Sequence, residues 1–231
     1  MKLFRLFKTV LMEILFPRVC SLCGMPLSGS QQFICSNCVD TRFDSAISTK
    51  DDLLNLPESV NGRVALWKFD KGGYLQDLLH NLKYQRLTGV GIDLGIALAQ
   101  KIRKEMPTLM SDTSEVLLIP VPLHPKKRKM RGFNQAYYIA KGMAEVLGGT
   151  IISKSAVIRI KNTKTQTGFS LEKRRINIAQ AFKVEEPEVL TGKKIVIVDD
   201  VFTTGATCFE LAQVLKEARV ESIYVVTVAQ A

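Results

Sequence analysis

Two adjacent carboxylates, Asp199 and Asp200, stand between a β-branched run, Ile195 to Val198, and a turn of Thr203, Thr204, Gly205, Ala206 and Thr207. Ionised carboxylates only accept hydrogen bonds, so they suit sugar hydroxyls or an Mg²⁺ shared with a ligand. The turn suits the opposite partner. Gly205 lets the backbone come close to an anion, and the threonine hydroxyls add donors. A helical apolar pattern follows (Phe209, Leu211, Ala212, Val214, Leu215), so the turn opens onto a helix N-terminus whose unpartnered N–H groups hold phosphate. The acids would repel that phosphate and must therefore face something else. A Walker-type loop is excluded, because G-x-x-x-x-G-K-[ST] occurs nowhere in the chain.

A strand, a tight turn and a helix start form the place where open α/β sheets bind ligands. A second buried-type strand, Glu115 to Pro122, should deliver its own loop to the same sheet edge. That loop carries Lys126, Lys127, Arg128, Lys129 and Arg131, five cations in six positions, ahead of an amphipathic helix from Phe133 to Leu147. Elsewhere such a run is a solvated charge patch. Here its position between strand and helix makes it an anion-binding turn. A third segment, 161–177, is polar, basic and Thr/Gly-rich, and lies between strands at 156–160 and 181–184. It has the form of a flap that closes cations over a charged ligand. The remaining periodicities predict a strand at 63–69, helices at 74–84, 92–106 and 206–218, and a last strand at 222–229. His80 falls on the first of these helices and reads as a packing or surface residue.

The cysteines ask for a different chemistry. Cys20 and Cys23 form one C-x-x-C knuckle, and Cys35 and Cys38 form a second after an eleven-residue gap. Four soft thiolates close a tetrahedral shell for Zn²⁺ and leave no open position for water, so the metal's role is structural. An iron–sulfur site is the rival. So small a ribbon would draw its folding energy from the metal. Paired cysteines without an export signal point to a reducing cytoplasm rather than to disulfides. Cys208, the odd one, falls in the first turn of the helix after the phosphate turn, where it reads as packing. Residues 1–16 have apolar positions at helical spacing, but Lys8 and Glu13 interrupt them and the run is too short to span a membrane. An amphipathic helix docked on its own domain or a partner is expected, with peripheral membrane contact as the alternative. The divisions are thus 1–16 helix, 17–43 ribbon, 44–62 polar linker and 63–231 main domain. A net charge of +10 favours phosphorylated ligands or polyanions, and falls to about +8 if four thiolates and one Zn²⁺ are counted.

Read together, the two knuckles, Pro120 to Pro125, Arg131 to Gln135, Thr165-Gln166, Arg174-Arg175 with Asn177, Ala181-Phe182 and Val198 to Ala206 resemble the ComF family in motif order across nearly the whole chain. One departure is visible: Lys83-Tyr84-Gln85-Arg86 stands where the family often has Lys-Tyr-Arg-Gly. The resemblance implies an α/β fold of the type I phosphoribosyltransferase kind, a mostly parallel sheet flanked by helices, with a small N-terminal four-Cys zinc ribbon. It further implies 5-phosphoribosyl-1-diphosphate as donor, with Mg²⁺ bridging diphosphate and ribose oxygens, and release of pyrophosphate. Asp199 and Asp200 would take the ribose hydroxyls, and Thr203, Thr204, Gly205, Ala206 and Thr207 the 5′-phosphate. Val121, Pro122, Lys126, Lys127 and Arg128 would form the pyrophosphate loop, and Thr165, Gln166, Arg174, Arg175 and Asn177 the hood. The acceptor is not read. Two other functions remain open: a non-catalytic protein handling single-stranded DNA in DNA uptake or recombination, and a regulator that senses the donor.

Overall fold

The computed structural model describes residues 17–27, 31–46, 56–110, 116–163 and 178–231. The expected helix over 1–16 lies outside them. The chain divides into two compact units, Met1–Phe43 and Asp44–Ala231.

In the first unit the chain crosses its first knuckle through a Val19–Pro26 antiparallel bridge and a bond from Ser21 N to the Phe33 carbonyl, 2.8 Å. The second knuckle opens a short helix, α1 (Ser36–Thr41), capped by the Cys35 side chain, which accepts from the Cys38 N–H.

The second unit is built on a five-stranded, wholly parallel sheet. Its strands are β1 (Gly62–Lys68), β2 (Val116–Pro120), β3 (Thr150–Ile151), β6 (Lys194–Phe202) and β7 (Ser222–Gln230), in the order β1-β7-β6-β2-β3. Parallel strands buried on both faces need near-continuous apolar runs, and Ile195 to Val198 and Val225 to Ala229, interrupted only by the buried Thr227, supply them. A separate antiparallel pair, β4 (Val157–Arg159) and β5 (Phe182–Val184), stands where strands were expected on either side of the basic flap. Residues 164–177 of that flap lie outside the described residues. Both described ends of the expected linker contribute to this unit. Asp44 to Ala46 bond to the outer edge of β1, and Val60 is buried in the core.

Helices α2 (Tyr74–Tyr84), α3 (Thr88–Glu105), α4 (Pro125–Arg131), α5 (Gln135–Leu147) and α6 (Ala206–Lys216) complete the unit. Alternation along β6 sends Ile195 and Ile197 into a core shared with Leu211 and Leu215 of α6 and Phe182 of β5. The opposite face takes α3 and α5. These two helices cross at near backbone contact: a Cβ on Gly95 would sit 2.0 Å from the Ile139 carbonyl oxygen. No helix among the described residues is long and apolar enough to cross a membrane.

The chain leaves β2 through α4 and α5 toward β3, and leaves β6 through α6 toward β7, in opposite directions along the sheet. The crevice between the C-terminal ends of β2 and β6 is therefore the topological switch point, where α/β sheets take ligands.

Candidate functional site

Because β2 and β6 are in register, Pro120 opposite Val198, the loop after β2 begins beside Asp199. The Asp pair and the basic segment thus emerge at the same end of the sheet. Strand β6 runs four residues further than its apolar run suggests, since pairing with β7 continues to Phe202 opposite Gln230. Both aspartates are therefore strand residues; the two-residue period starts their side chains on opposite faces, and at the open end of the strand their carboxyls come together in one cleft.

Asp200 turns toward the helices. Its Oδ2 pairs with the Lys83 ammonium from the end of α2, and its Oδ1 accepts from Gln135 Nε2 at 3.4 Å. Gln135 in turn accepts from Arg131. Burial is the largest single influence and works against the ionised form, but the Lys83 charge and the hydrogen bonds from Asp199, Lys83 and Gln135 together outweigh it and hold Asp200 below the usual carboxylate range. Asp199 points toward β4. Burial, and then the negative charge of Asp200, raise it well above that range, while its Oδ1 accepts the Asp200 N–H at 2.9 Å. One carboxylate and one carboxylic acid side by side is the arrangement that two crowded acids adopt.

Lys127, Arg131, Arg159 and Thr207 line the same cleft of about 190 Å³ as the two aspartates. Lys127 is pushed down by burial and then by the charges of Arg159 and Arg131. Cations brought together and partly stripped of water are an anion site in waiting. Arg159 is held on β4 over the Phe182 ring, 5.3 Å from its centre, and donates to Thr163 Oγ1.

The basic segment is a helix rather than a turn, and this redistributes the expected residues. Pro125 sits at its first position, and His124 Nδ1 caps it by accepting the Lys126 N–H at 3.2 Å. Lys127 and Arg131, one turn apart, face the Asp cleft. Arg128 lines a separate cavity beyond β2, and Lys126 is exposed to solvent. Val121 donates its N–H to the Val198 carbonyl and accepts Asn134 Nδ2, and Pro122 has no N–H. Val121 lines the Asp cleft and Pro122 the separate cavity, and neither has a backbone donor left for a phosphate. Arg86 adopts a left-handed backbone conformation, φ +57°, and lays its guanidinium against Gly132 at the end of α4.

The Thr/Gly turn folds as expected. Gly205 is in the left-handed region at φ +73° and opens α6, and Thr204 Oγ1 accepts the Ala206 N–H at 3.5 Å. A Cβ at 205 would stand 2.4 Å from the Phe209 ring and 2.6 Å from Phe202, so both conformation and space require glycine. Cys208 is buried, and burial raises its thiol well above the ordinary value despite the helix N-terminus, which fits a packing role. Thr165, Gln166, Arg174, Arg175 and Asn177 lie outside the described residues.

Sequence reasoning did not assign Lys83, Arg131, Gln135 or Arg159 to the cleft. The only local signal was the His124-Pro125 start of α4, which would have put Lys127 and Arg131 on one helical face.

In the first unit the four cysteine sulfurs lie within 4.8 Å of one another, with Cys23 and Cys35 3.6 Å apart. Tetrahedral Zn–S bonds of about 2.3 Å require sulfurs about 3.8 Å apart, so the cluster fits that ion. Without a metal the thiols differ: burial and the neighbouring cysteines raise Cys38, Cys35 is raised despite the Cys38 N–H that it accepts, and Cys20 is lowered. Burial opposes ionisation of Cys20, but donors from Cys35, Leu22 and Cys23 bring it down to about 7.

Residues 130–231 match the phosphoribosyl transferase domain family. The chain is 33% identical over 215 residues to the DNA utilization protein YhgH of Salmonella typhimurium, covering 86% of this chain and 91% of the relative. It is 31% identical over 158 residues to Competence protein F of Haemophilus influenzae, 68% of each chain. Among solved structures, the purine phosphoribosyltransferase from Pyrococcus horikoshii is 18% identical with a TM-score of 0.33, covering 61% of this chain and 73% of that one.

Proposed function

This chain belongs to the ComF family, with a type I phosphoribosyltransferase fold and a zinc-ribbon-like knuckle pair, and on that premise we propose that it binds 5-phosphoribosyl-1-diphosphate in the β2–β6 cleft and transfers the phosphoribosyl group with release of pyrophosphate. The observation that carries the proposal is the pairing of Asp199 and Asp200 with Lys127, Arg131 and Arg159 around one cleft. Displacement at the anomeric carbon builds positive charge on the sugar ring and negative charge on the departing diphosphate. An acid pair for the ring and cations for the leaving group match both.

The ribose hydroxyls go to the aspartates and the 5′-phosphate to the Thr203–Thr207 turn at the head of α6. The diphosphate goes to Lys127, Arg131 and Arg159. The 161–177 segment, with Thr165, Gln166, Arg174, Arg175 and Asn177, is assigned to closure. Mg²⁺ bound with the donor would neutralise diphosphate charge. Asp199 is the acid that suits it, since Asp200 is already paired with Lys83. Zinc in the four-cysteine cluster is structural. The names of the relatives bring a DNA-linked setting to the proposal, the paired cysteines suit a reducing cytoplasm, and the acceptor is left open.

Pyrophosphate release from the donor, screened against bases and amines, tests the reaction. Donor binding by calorimetry tests the site. The Asp199→Asn, Asp200→Asn protein should stay folded and lose donor affinity, and retained affinity would sink the assignment.

A further inference from the structure

On the other side of α4 lies a larger cavity, about 340 Å³, which shares Leu123 and Arg159 with the Asp cleft and is otherwise unused by the proposed phosphoribosyl chemistry. The helix divides its cations between the two. Lys127 and Arg131 serve the Asp cleft, while Arg128 faces this second space. Three rings from the loop before α5 and its first turn line it: Phe133, Tyr137 and Tyr138. Phe133 meets Tyr138 edge-on at 5.8 Å, and Tyr137 meets Tyr138 at 5.6 Å. Such an arrangement presents both ring faces and ring edges to an occupant.

Its charge is one-sided. Arg128 from α4, Lys154 from the turn after β3 and Arg159 from β4 are among its lining residues, and no acidic residue is, among the described residues. Lys154 stands 4.6 Å over the Tyr137 ring, so its charge is held at the cavity wall. The volume suits a small molecule. A solvated nucleic-acid groove would show ring platforms spaced along a track; here the rings form one cluster in one cavity.

We propose that this cavity is a second ligand site, which takes a small planar aromatic anion, a ring bearing a carboxylate or a phosphate. The rings and the flanking apolar wall (Pro120, Ile152) hold its body, and Arg128 and Lys154 hold its charge.

The test uses the full chain and three probes: 1-naphthoate, 1-naphthyl phosphate and the neutral 1-naphthamide, titrated by calorimetry. At least one anion should bind with one-to-one stoichiometry, and the amide about tenfold or more weaker, as expected for loss of a charge-assisted contact. Which anion binds more tightly separates a carboxylate ligand from a phosphate one. Lys154→Gln should weaken the anion about tenfold and leave the amide unchanged. Tyr137→Ala should weaken both. Inorganic pyrophosphate binding should be the same in both variants as in the unaltered chain, which separates this site from the Asp cleft. Equal affinity for the amide and the anions, or anion binding indifferent to Lys154→Gln, would overturn the proposal. So would a short oligothymidylate that binds in place of the naphthyl probes and is lost in the same variants.

Discussion

Lys83, the penultimate residue of α2, pairs its ammonium with Asp200 Oδ2 near the end of β6, and the carboxylate is almost wholly buried. This pair sets the charge state of the whole cleft. It keeps Asp200 ionised, and that charge, added to burial, keeps the proton on Asp199. The ammonium itself is desolvated, and the two aspartates together outweigh that cost and raise its pKa.

Removing Lys83 strands a buried charge. Lys83→Met should cost about 3 kcal/mol, a fall of about 6–12 °C in Tm for a chain of this size. The companion change Asp200→Asn removes the stranded charge and should restore most of the loss. A double-mutant cycle by thermal unfolding measures it. Additive losses in the cycle would mean that the pair contributes nothing of its own.

The two faces of α4 predict unequal effects from similar substitutions. Arg131→Gln or Lys127→Gln should weaken pyrophosphate binding by about ten- to a hundredfold, as for loss of one charge-assisted contact. Lys126→Gln, at an exposed position, should change it less than threefold at 0.15 M salt, where surface charges are screened. Calorimetric titration with pyrophosphate separates the two classes, and equal losses at all three positions would mean the helix acts only as a diffuse basic patch.

Those two faces also mark how far the residues alone carried the reading. The sheet was legible because Ile195 to Val198 and Val116 to Ile119 are apolar runs that only a doubly covered parallel strand explains, and the Thr/Gly turn was legible because φ > 0 beside a helix start calls for glycine. The shape of the basic segment was not. Five cations in six positions repel one another in any local reckoning, and only the His124 cap and Pro125 argue for a helix there. Lys83 and Arg159 were out of reach for another reason. Each is delivered by an element far away in sequence, 117 positions before Asp200 (200 − 83) and 40 before Asp199 (199 − 159), and periodicity carries no information about which element ends beside which. The length of β6 beyond Val198 was hidden likewise, because its pairing with β7 overrides the low strand preference of aspartate.

Gly205→Ala tests the phosphate turn. The change meets a positive φ and two aromatic rings at once, so the turn must shift or the fold must yield. A loss of about 1–3 kcal/mol in stability is expected from the backbone alone, together with loss of affinity for ribose 5-phosphate. An alanine variant that keeps both would mean the turn is not fixed in this form.

The cysteine cluster should hold one metal ion per chain. Metal analysis of the purified protein is expected to give about one Zn²⁺, and Cys35→Ser should lose it. Chelation should melt the first unit, seen as loss of protection of its amides to hydrogen exchange, because such small domains take their folding energy from the metal. The sheet of the second unit has its own core and should keep its protection. Iron in place of zinc would assign the cluster to electron transfer.

Asp199 makes donor binding pH-dependent. Burial, then the charge of Asp200, hold it protonated at pH values where an exposed aspartate has lost its proton. A ribose hydroxyl or Mg²⁺ at this carboxyl favours the ionised form, so donor binding must expel the proton. Affinity should rise with pH up to the raised pKa and level off above it, with release of about one proton per donor on the rising limb. Stability runs the other way. The folded pKa lies above the unfolded value of about 3.9, so the contribution of the protonated form is complete below that value and is lost as pH rises toward the folded pKa. Calorimetry in buffers of different ionisation enthalpy counts the proton, and Asp199→Asn should bring the count to zero while flattening the stability profile. Tight donor binding without proton release by the unaltered chain would place the ligand away from Asp199.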